Sequence, residues 1–158
     1  MQSKTAAESS LHMCRMMRSR HANRYGFVHG GQILRLMDTA AGLSAIRHCR
    51  SKVVTACVRQ VNFPAQAQVG ELLWLLASLN HVGRTSMEIG VRVESEDLYS
   101  AELRHIATGY FCCVALDEQD RPKQVPELLL QTAQEERRRA QAKQRKQADL
   151  ELQRGQSS

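Results

Sequence analysis

The chain has 158 residues, enough for one domain with a substantial core and a short appendage. The hydrophobic fraction of 42% is that of a globular protein, no apolar run approaches the about 20 residues needed to span a bilayer, and residues 1–10 lack the apolar core of a signal peptide, so a cytoplasmic protein is expected. The net charge of +6 is uneven: Gln131 to Arg154 holds seven Lys/Arg against four Asp/Glu, which leaves the rest only mildly basic and suits a phosphorylated small ligand at least as well as a nucleic acid.

In chain order, Leu11 to Met17 reads as a short strand, weakened by His12 and Arg15, and Arg18 to Val28 as a loop. Gly30-Gly31 is a turn that runs into a helix from Gly31 to Arg47. Ile33, Leu36, Met37, Ala40, Ser44 and Ala45 follow helical spacing. Leu34, Leu43 and Ile46 fall on the opposite face, so the helix is expected to be enclosed. The period then changes from 3.6 to 2. Lys52 to Phe63 is a Val-rich strand, Pro64 to Gly70 a break, Glu71 to Val82 a second strand, and Gly83-Arg84-Thr85 a tight connection. In Ser86 to Glu94, Met87, Ile89, Val91 and Val93 face one way and Ser86, Glu88, Gly90, Arg92 and Glu94 the other, a strand with one buried face. Arg104 to Leu116 is the last strand.

Consecutive strands with short links pair antiparallel. The fold class is therefore α+β, a sheet curled around one long helix. Residues 1–10 are expected to be flexible, 11–125 to form the domain, and 126–158 to form a basic helical tail, solvated and frayed toward Ser158.

Asp38 stands out because an ionised group on an apolar helix is costly to bury. Pairing with Arg35 or Arg47, or a place on the surface, is its plain structural explanation; activation of water is the functional one. The amides of Gly30 and Gly31 lie at the positive end of the helix dipole, where they suit an oxyanion of acyl transfer. Asp38 lies eight residues beyond Gly30, about 12 Å along a helix. Both can serve one carbonyl only if they come from different subunits, which places the site at a dimer interface. Asn23 reads as a turn residue, Thr55 as a β-former and His29 as a structural hydrogen-bonding residue. No Gly-x-Ser-x-Gly elbow or Walker-type loop occurs. The five cysteines are odd in number and lack metal spacing, so they are read as reduced and structural, with no metal site; Cys112 and Cys113 point to opposite faces.

Taken together, Ala22-Asn23, Gly26-Phe27-Val28-His29-Gly30-Gly31, Leu36-Met37-Asp38, Ala41-Gly42, Arg47-His48-Cys49, Val53-Val54-Thr55-Ala56, Asn62-Phe63 and Gly83-Arg84-Thr85-Ser86-Met87-Glu88 resemble the hotdog-fold acyl-CoA thioesterases in order and spacing. The resemblance covers roughly Met13 to Val125. It implies a long central helix wrapped by a curved antiparallel sheet, with the helical tail appended, and a homodimer joined edge to edge that assembles into a trimer of dimers. It also implies that Asp38 is the catalytic acid, acting as general base or nucleophile. Asn23 matches a second catalytic position, Thr55 one that orients water, and Gly83, Arg84, Thr85 and Ser86 the neighbourhood of CoA. The substrate is then acyl-CoA and no cofactor is needed, CoA being part of the substrate. The alternative is a non-catalytic acyl-CoA-binding regulator on the same fold. Nucleic-acid binding is set aside, because the tail has no aromatic residue to stack on a base. The relatives often carry Pro before the Ala-Asn pair; here Ser19-Arg20-His21 stands there.

Overall fold

The computed structural model describes residues 1–156. In chain order it contains β1 (Lys4–Thr5), α1 (Ala6–Ser9), β2 (Leu11–Met16), α2 (Gly30–Cys49), β3 (Lys52–Asn62), β4 (Leu72–Val82), β5 (Ser86–Glu96), β6 (Leu103–Leu116), β7 (Leu128–Leu129) and α3 (Ala133–Gln156). β2 to β6 form one antiparallel sheet in the order β2-β4-β5-β6-β3, so β2 and β3 are its edges. The weak first strand forms because β4 holds it over six residues, from Leu11 opposite Ala77 to Met16 opposite Leu72.

α2 starts where His29 is extended and its Nδ1 accepts the Gly31 N–H at 2.9 Å. It runs two residues past the expected end. There Arg50 adopts the left-handed conformation (φ 52°), and Lys4 Nζ donates to the carbonyls of Arg47 and His48 at 3.1 and 2.7 Å. Ile33, Leu36, Met37, Ala40, Ala41, Ala45 and Cys49 pack on the inner faces of β4, β5 and β6, where Leu73, Leu75, Ile89, Val91, Val93, Phe111 and Cys113 are buried. The small residues let helix and sheet approach closely. The helix is docked, however, and not enclosed: Leu34, Leu43 and Ile46 remain 36–42% exposed, because one curled sheet covers one side only.

Two further expectations change. Residues 1–10, read as flexible, form β1 and α1. Thr5 and Glu8 make a capping box, β1 pairs with β7, and Ser9 is buried with its carbonyl accepting Ser44 Oγ at 2.8 Å. The tail, read as solvated, docks as α3 against the outer face of the sheet, with Ala142 buried. Glu88, expected in solvent, is consequently 3% exposed. Arg145 of α3 donates to it at 2.7 and 3.3 Å, Arg59 of β3 at 3.4 Å and Asn80 at 3.3 Å. Arg145 also stacks on Tyr110, 3.5 Å from the ring centre, and Arg59 pairs with Asp149 of α3. Ser157 and Ser158, where fraying was expected, lie outside the described residues.

Candidate active site

Asp38 sits midway along α2 on the side that faces the edge strand β3. Thr55 Oγ1 donates to its Oδ1 at 2.6 Å. Among the described residues this is its hydrogen bond, and it makes no ion pair with Arg35 or Arg47. In the single chain Asp38 is exposed, not stranded in the core. Thr55 is aimed at it by a bulge: β3 and β6 are in register at Thr55–Cys113 and again at Cys57–Cys112, so one extra residue, Ala56, is inserted between. Cys113 lies beneath the pair. Burial pushes its thiol up to about 12, against the pull of a hydrogen bond with Thr55, so it stays a protonated packing group.

Asn23 and Gly30 belong to a second cluster. The side-chain Oδ1 of Asn23 accepts the amides of Tyr25 and Phe27 at 2.9 and 3.2 Å, and its own N–H donates to the Phe27 carbonyl at 2.7 Å. The loop is thus closed on itself, and both acceptor bonds fix which way the amide points. The Asn23 NH2 group is left without a partner among the described residues. The same holds for the N–H of Gly30, the first residue of α2, where a Cβ would meet nothing within 4 Å. Gly31 does not share this freedom: its N–H is already taken by His29. The free donors are therefore one glycine amide and the Asn23 amide, not the two glycines.

Gly83, Arg84, Thr85 and Ser86 form the β4–β5 turn, closed by Gly83 N–H to the Ser86 carbonyl at 2.7 Å. A side chain at Gly83 would come within 2.9 Å of Ser86 Oγ. The register carries Val82, Met87, Cys113 and Thr55 across the sheet in one row, so this turn lies at the Thr55 end. The Asn23 loop is tied to the 64–70 connection at the other end, through Val28 N–H to the Ala67 carbonyl. One chain thus brings Asp38 and Thr55 together and keeps Asn23 and Gly30 apart from them. Among the described residues no group of three or more His, Cys, Asp or Glu is placed to hold a metal ion, and no helix is long and apolar enough to cross a membrane.

Residues 25–102 match the Thioesterase superfamily. An uncharacterised acyl-CoA thioester hydrolase of Zymomonas mobilis is 42% identical over 106 residues, 67% of this chain and 71% of its own. A hexameric acyl-CoA thioesterase superposes with a TM-score of 0.93 at 36% identity, over 96% of this chain and 97% of its own. The chain belongs to the hotdog-fold acyl-CoA thioesterases. A third thioesterase, the Staphylococcus aureus acyl-CoA hydrolase solved with butyryl coenzyme A and coenzyme A, superposes at 0.88 with 26% identity, over 98% of this chain and 96% of its own. Its alanine variants replace an Asn, an Asp and a Thr that stand 15 and 17 residues apart, and Asn23, Asp38 and Thr55 of this thioesterase have the same spacings.

The ion cluster of Arg59, Glu88, Arg145 and Asp149 escaped sequence reasoning. Its only signal was Arg145 and Asp149 four residues apart on one helix face. Burial works against charge on Arg59, but the hydrogen bond to Asp149 and the fields of Cys112, Cys57 and Asp149 together outweigh it and hold the guanidinium above its ordinary value.

Proposed function

We propose that this thioesterase hydrolyses acyl-CoA to free CoA and a carboxylic acid at sites completed across a homodimer. The observation that carries the reading is the Thr55–Asp38 contact of 2.6 Å, set at an exposed sheet edge and about 12 Å along α2 from the free Gly30 amide. Leu34 and Ile46 on α2 and Val58 on β3 are exposed apolar residues on the side of the sheet that carries Asp38, which a second β3 edge would cover. That arrangement would set Asp38 of one subunit against Asn23 and Gly30 of the other.

Thr55 occupies one carboxylate oxygen, which leaves the other to take a proton from water. The water oxygen bonds to the thioester carbon, and its proton passes to Asp38. The resulting oxyanion accepts from Gly30 N–H and the Asn23 amide. Collapse breaks the C–S bond, and the departing CoA thiolate takes up a proton. The mechanism calls on no metal or organic cofactor. Direct attack by Asp38, giving a mixed anhydride, would differ in one readout: a single turnover in 18O-water would label the Asp38 carboxylate. The subunits would assemble as a trimer of dimers in the cytoplasm.

The test is free-thiol release from short to long acyl-CoAs by wild type and Asp38→Asn, with an enzyme-only blank for the five cysteines. Turnover lost in the variant supports the hydrolase. No turnover by folded wild type, with saturable CoA binding, would make the protein an acyl-CoA-binding regulator instead.

A further inference from the structure

The sheet brings two of the five free thiols together. Cys57 of β3 and Cys112 of β6 stand directly opposite each other in the ladder. It is the bulge that pairs them. Plain alternation from Thr55 would turn Cys57 toward α2; the inserted Ala56 shifts the register by one, so Cys57 faces outward beside Cys112. The two thiols are in hydrogen-bonding contact, and both are partly buried. Arg59, held by Glu88 and Asp149, donates from Nη1 to Cys112 Sγ at 3.0 Å. A guanidinium beside a sulfur favours its thiolate. The other three cysteines stand apart. Cys14 is on β2, the opposite edge of the sheet, Cys49 ends α2, and Cys113 is buried on the inner face.

We infer that Cys57 and Cys112 are a redox modification site, which a peroxide closes into a cross-strand disulfide, and that the link slows turnover by displacing Thr55. Burial pushes the Cys112 thiol up to about 11 against the field of Arg59, which suits it to the second step. In the first step the Cys57 thiol loses its proton and its sulfur attacks hydrogen peroxide. The O–O bond breaks, one oxygen stays as the sulfenic acid and the other leaves as water. Cys112 then gives up its proton and attacks that sulfur; the S–S bond forms, the S–O bond breaks and a second water leaves. Two electrons pass from the thiols to one peroxide. Opposite residues of an antiparallel pair hold their Cβ atoms about 4.5–5.5 Å apart, whereas a disulfide needs about 3.5–4.5 Å. Closure therefore draws β3 toward β6 by about 1 Å at Cys57. Ala56 has no partner in the ladder, so the bulge takes up this movement, and Thr55 Oγ1 loses its alignment on Asp38. The loss of turnover rests on the hydrolase reading; formation of the disulfide does not.

The test starts from Cys14→Ser, which removes the exposed thiol. This protein is treated with hydrogen peroxide, desalted, alkylated and mapped by non-reducing peptide mass spectrometry. One linked peptide pair should join Cys57 to Cys112 within a single chain, with Cys49 and Cys113 still alkylated after unfolding. Hydrolysis of acyl-CoA by the oxidised protein should fall about tenfold in kcat, the loss expected when Thr55 no longer donates to Asp38. Dithiothreitol, removed before assay, should restore the rate. Cys57→Ser and Cys112→Ser in the same background should turn over at the parent rate and stay within about twofold of it in peroxide, because neither closes the link. No link, a link to another cysteine or between subunits, or a mapped link that leaves kcat unchanged would overturn the inference. Should the link form in a protein that turns over in neither redox state, the hydrolase reading falls and the dithiol site stands.

Discussion

Two carboxylates on opposite sides of the sheet have exchanged the places that patterning suggests. Asp38, on an apolar helix, looks like the buried acid; in the single chain it is exposed and holds one hydrogen bond, from Thr55. Glu88, on the polar side of an alternating strand, looks like the solvated one; it is 3% exposed and accepts from Arg145, Arg59 and Asn80. A carboxylate surrounded by donors is a structural anchor, because its lone pairs are committed. A carboxylate with one oxygen committed and the other open is free to meet a proton or a substrate, as the proposed mechanism requires of Asp38. Burial therefore does not separate the two roles; the number of partners does.

Neutral isosteres at the two positions should show the largest contrast. Asp38→Asn should lower kcat by 10² to 10⁴, the usual range for a general base, with the denaturation midpoint nearly unchanged. Glu88→Gln should do the reverse. It leaves two buried guanidinium groups with one remaining carboxylate, Asp149, and removing one partner of a buried pair costs about 3–5 kcal/mol. For a chain of this length that lowers Tm by roughly 10 °C, read by thermal unfolding, with rate per folded subunit little altered. A stable Glu88→Gln protein with no activity would break the comparison.

A smaller effect probes the one bond Asp38 does have. Thr55→Ala should lower kcat about tenfold with KM little changed, since a hydrogen bond to a charged group is worth on the order of 1.5–3 kcal/mol. Thr55→Ser keeps the donor and should restore most of the rate. Equal losses in both variants would mean that Thr55 acts through packing of the β3 bulge and not through its hydroxyl.

The frame of the molecule was legible because it rests on apolar periodicity. Met87, Ile89, Val91 and Val93 alternate in sequence and are all buried, and the spacing of Ile33, Leu36, Met37 and Ala40 marks the face α2 turns to the sheet. The separation of Asp38 from Gly30 was legible too, since helix rise alone sets it. What patterning missed is held by polar groups. The docking face of α3 has Ala142 as its one buried apolar residue, and its grip comes from Arg145 and Asp149, which read as surface charge. The N-terminal segment is fixed by a capping box, a lysine on helix carbonyls and a buried serine, none of which has a hydrophobic period. Likewise, that Gly31 has lost its free amide depends on the rotamer of His29, which no spacing rule reports.

The smallest effect sharpens the contrast at the other end of α2. His48 is fully buried; its Nδ1 accepts Ser9 Oγ at 2.9 Å and its Nε2–H donates to the Pro126 carbonyl at 2.9 Å. A proton on Nδ1 would remove that acceptor and place a charge in the core. Burial accordingly holds the imidazole below its usual range, against the opposing pull of the Pro126 carbonyl. The unfolded chain takes up this proton near pH 6.5, the folded chain only at lower pH. Above that value His48 makes stability independent of pH. As pH falls from about 6.5 through the folded value, the unfolded state binds the extra proton and stability declines, by up to about 1.4 kcal/mol per pH unit for one group. Urea midpoints between pH 8 and 5 should therefore drop on the acid side. His48→Gln, less stable throughout, should drop less steeply, the remaining slope coming from His21 and His81, which burial shifts the same way. An unchanged slope in His48→Gln would remove His48 from the anchor and place the acid sensitivity in those two residues. Because the Asp38–Thr55 pair lies elsewhere on α2, Asp38→Asn should leave the slope as it is.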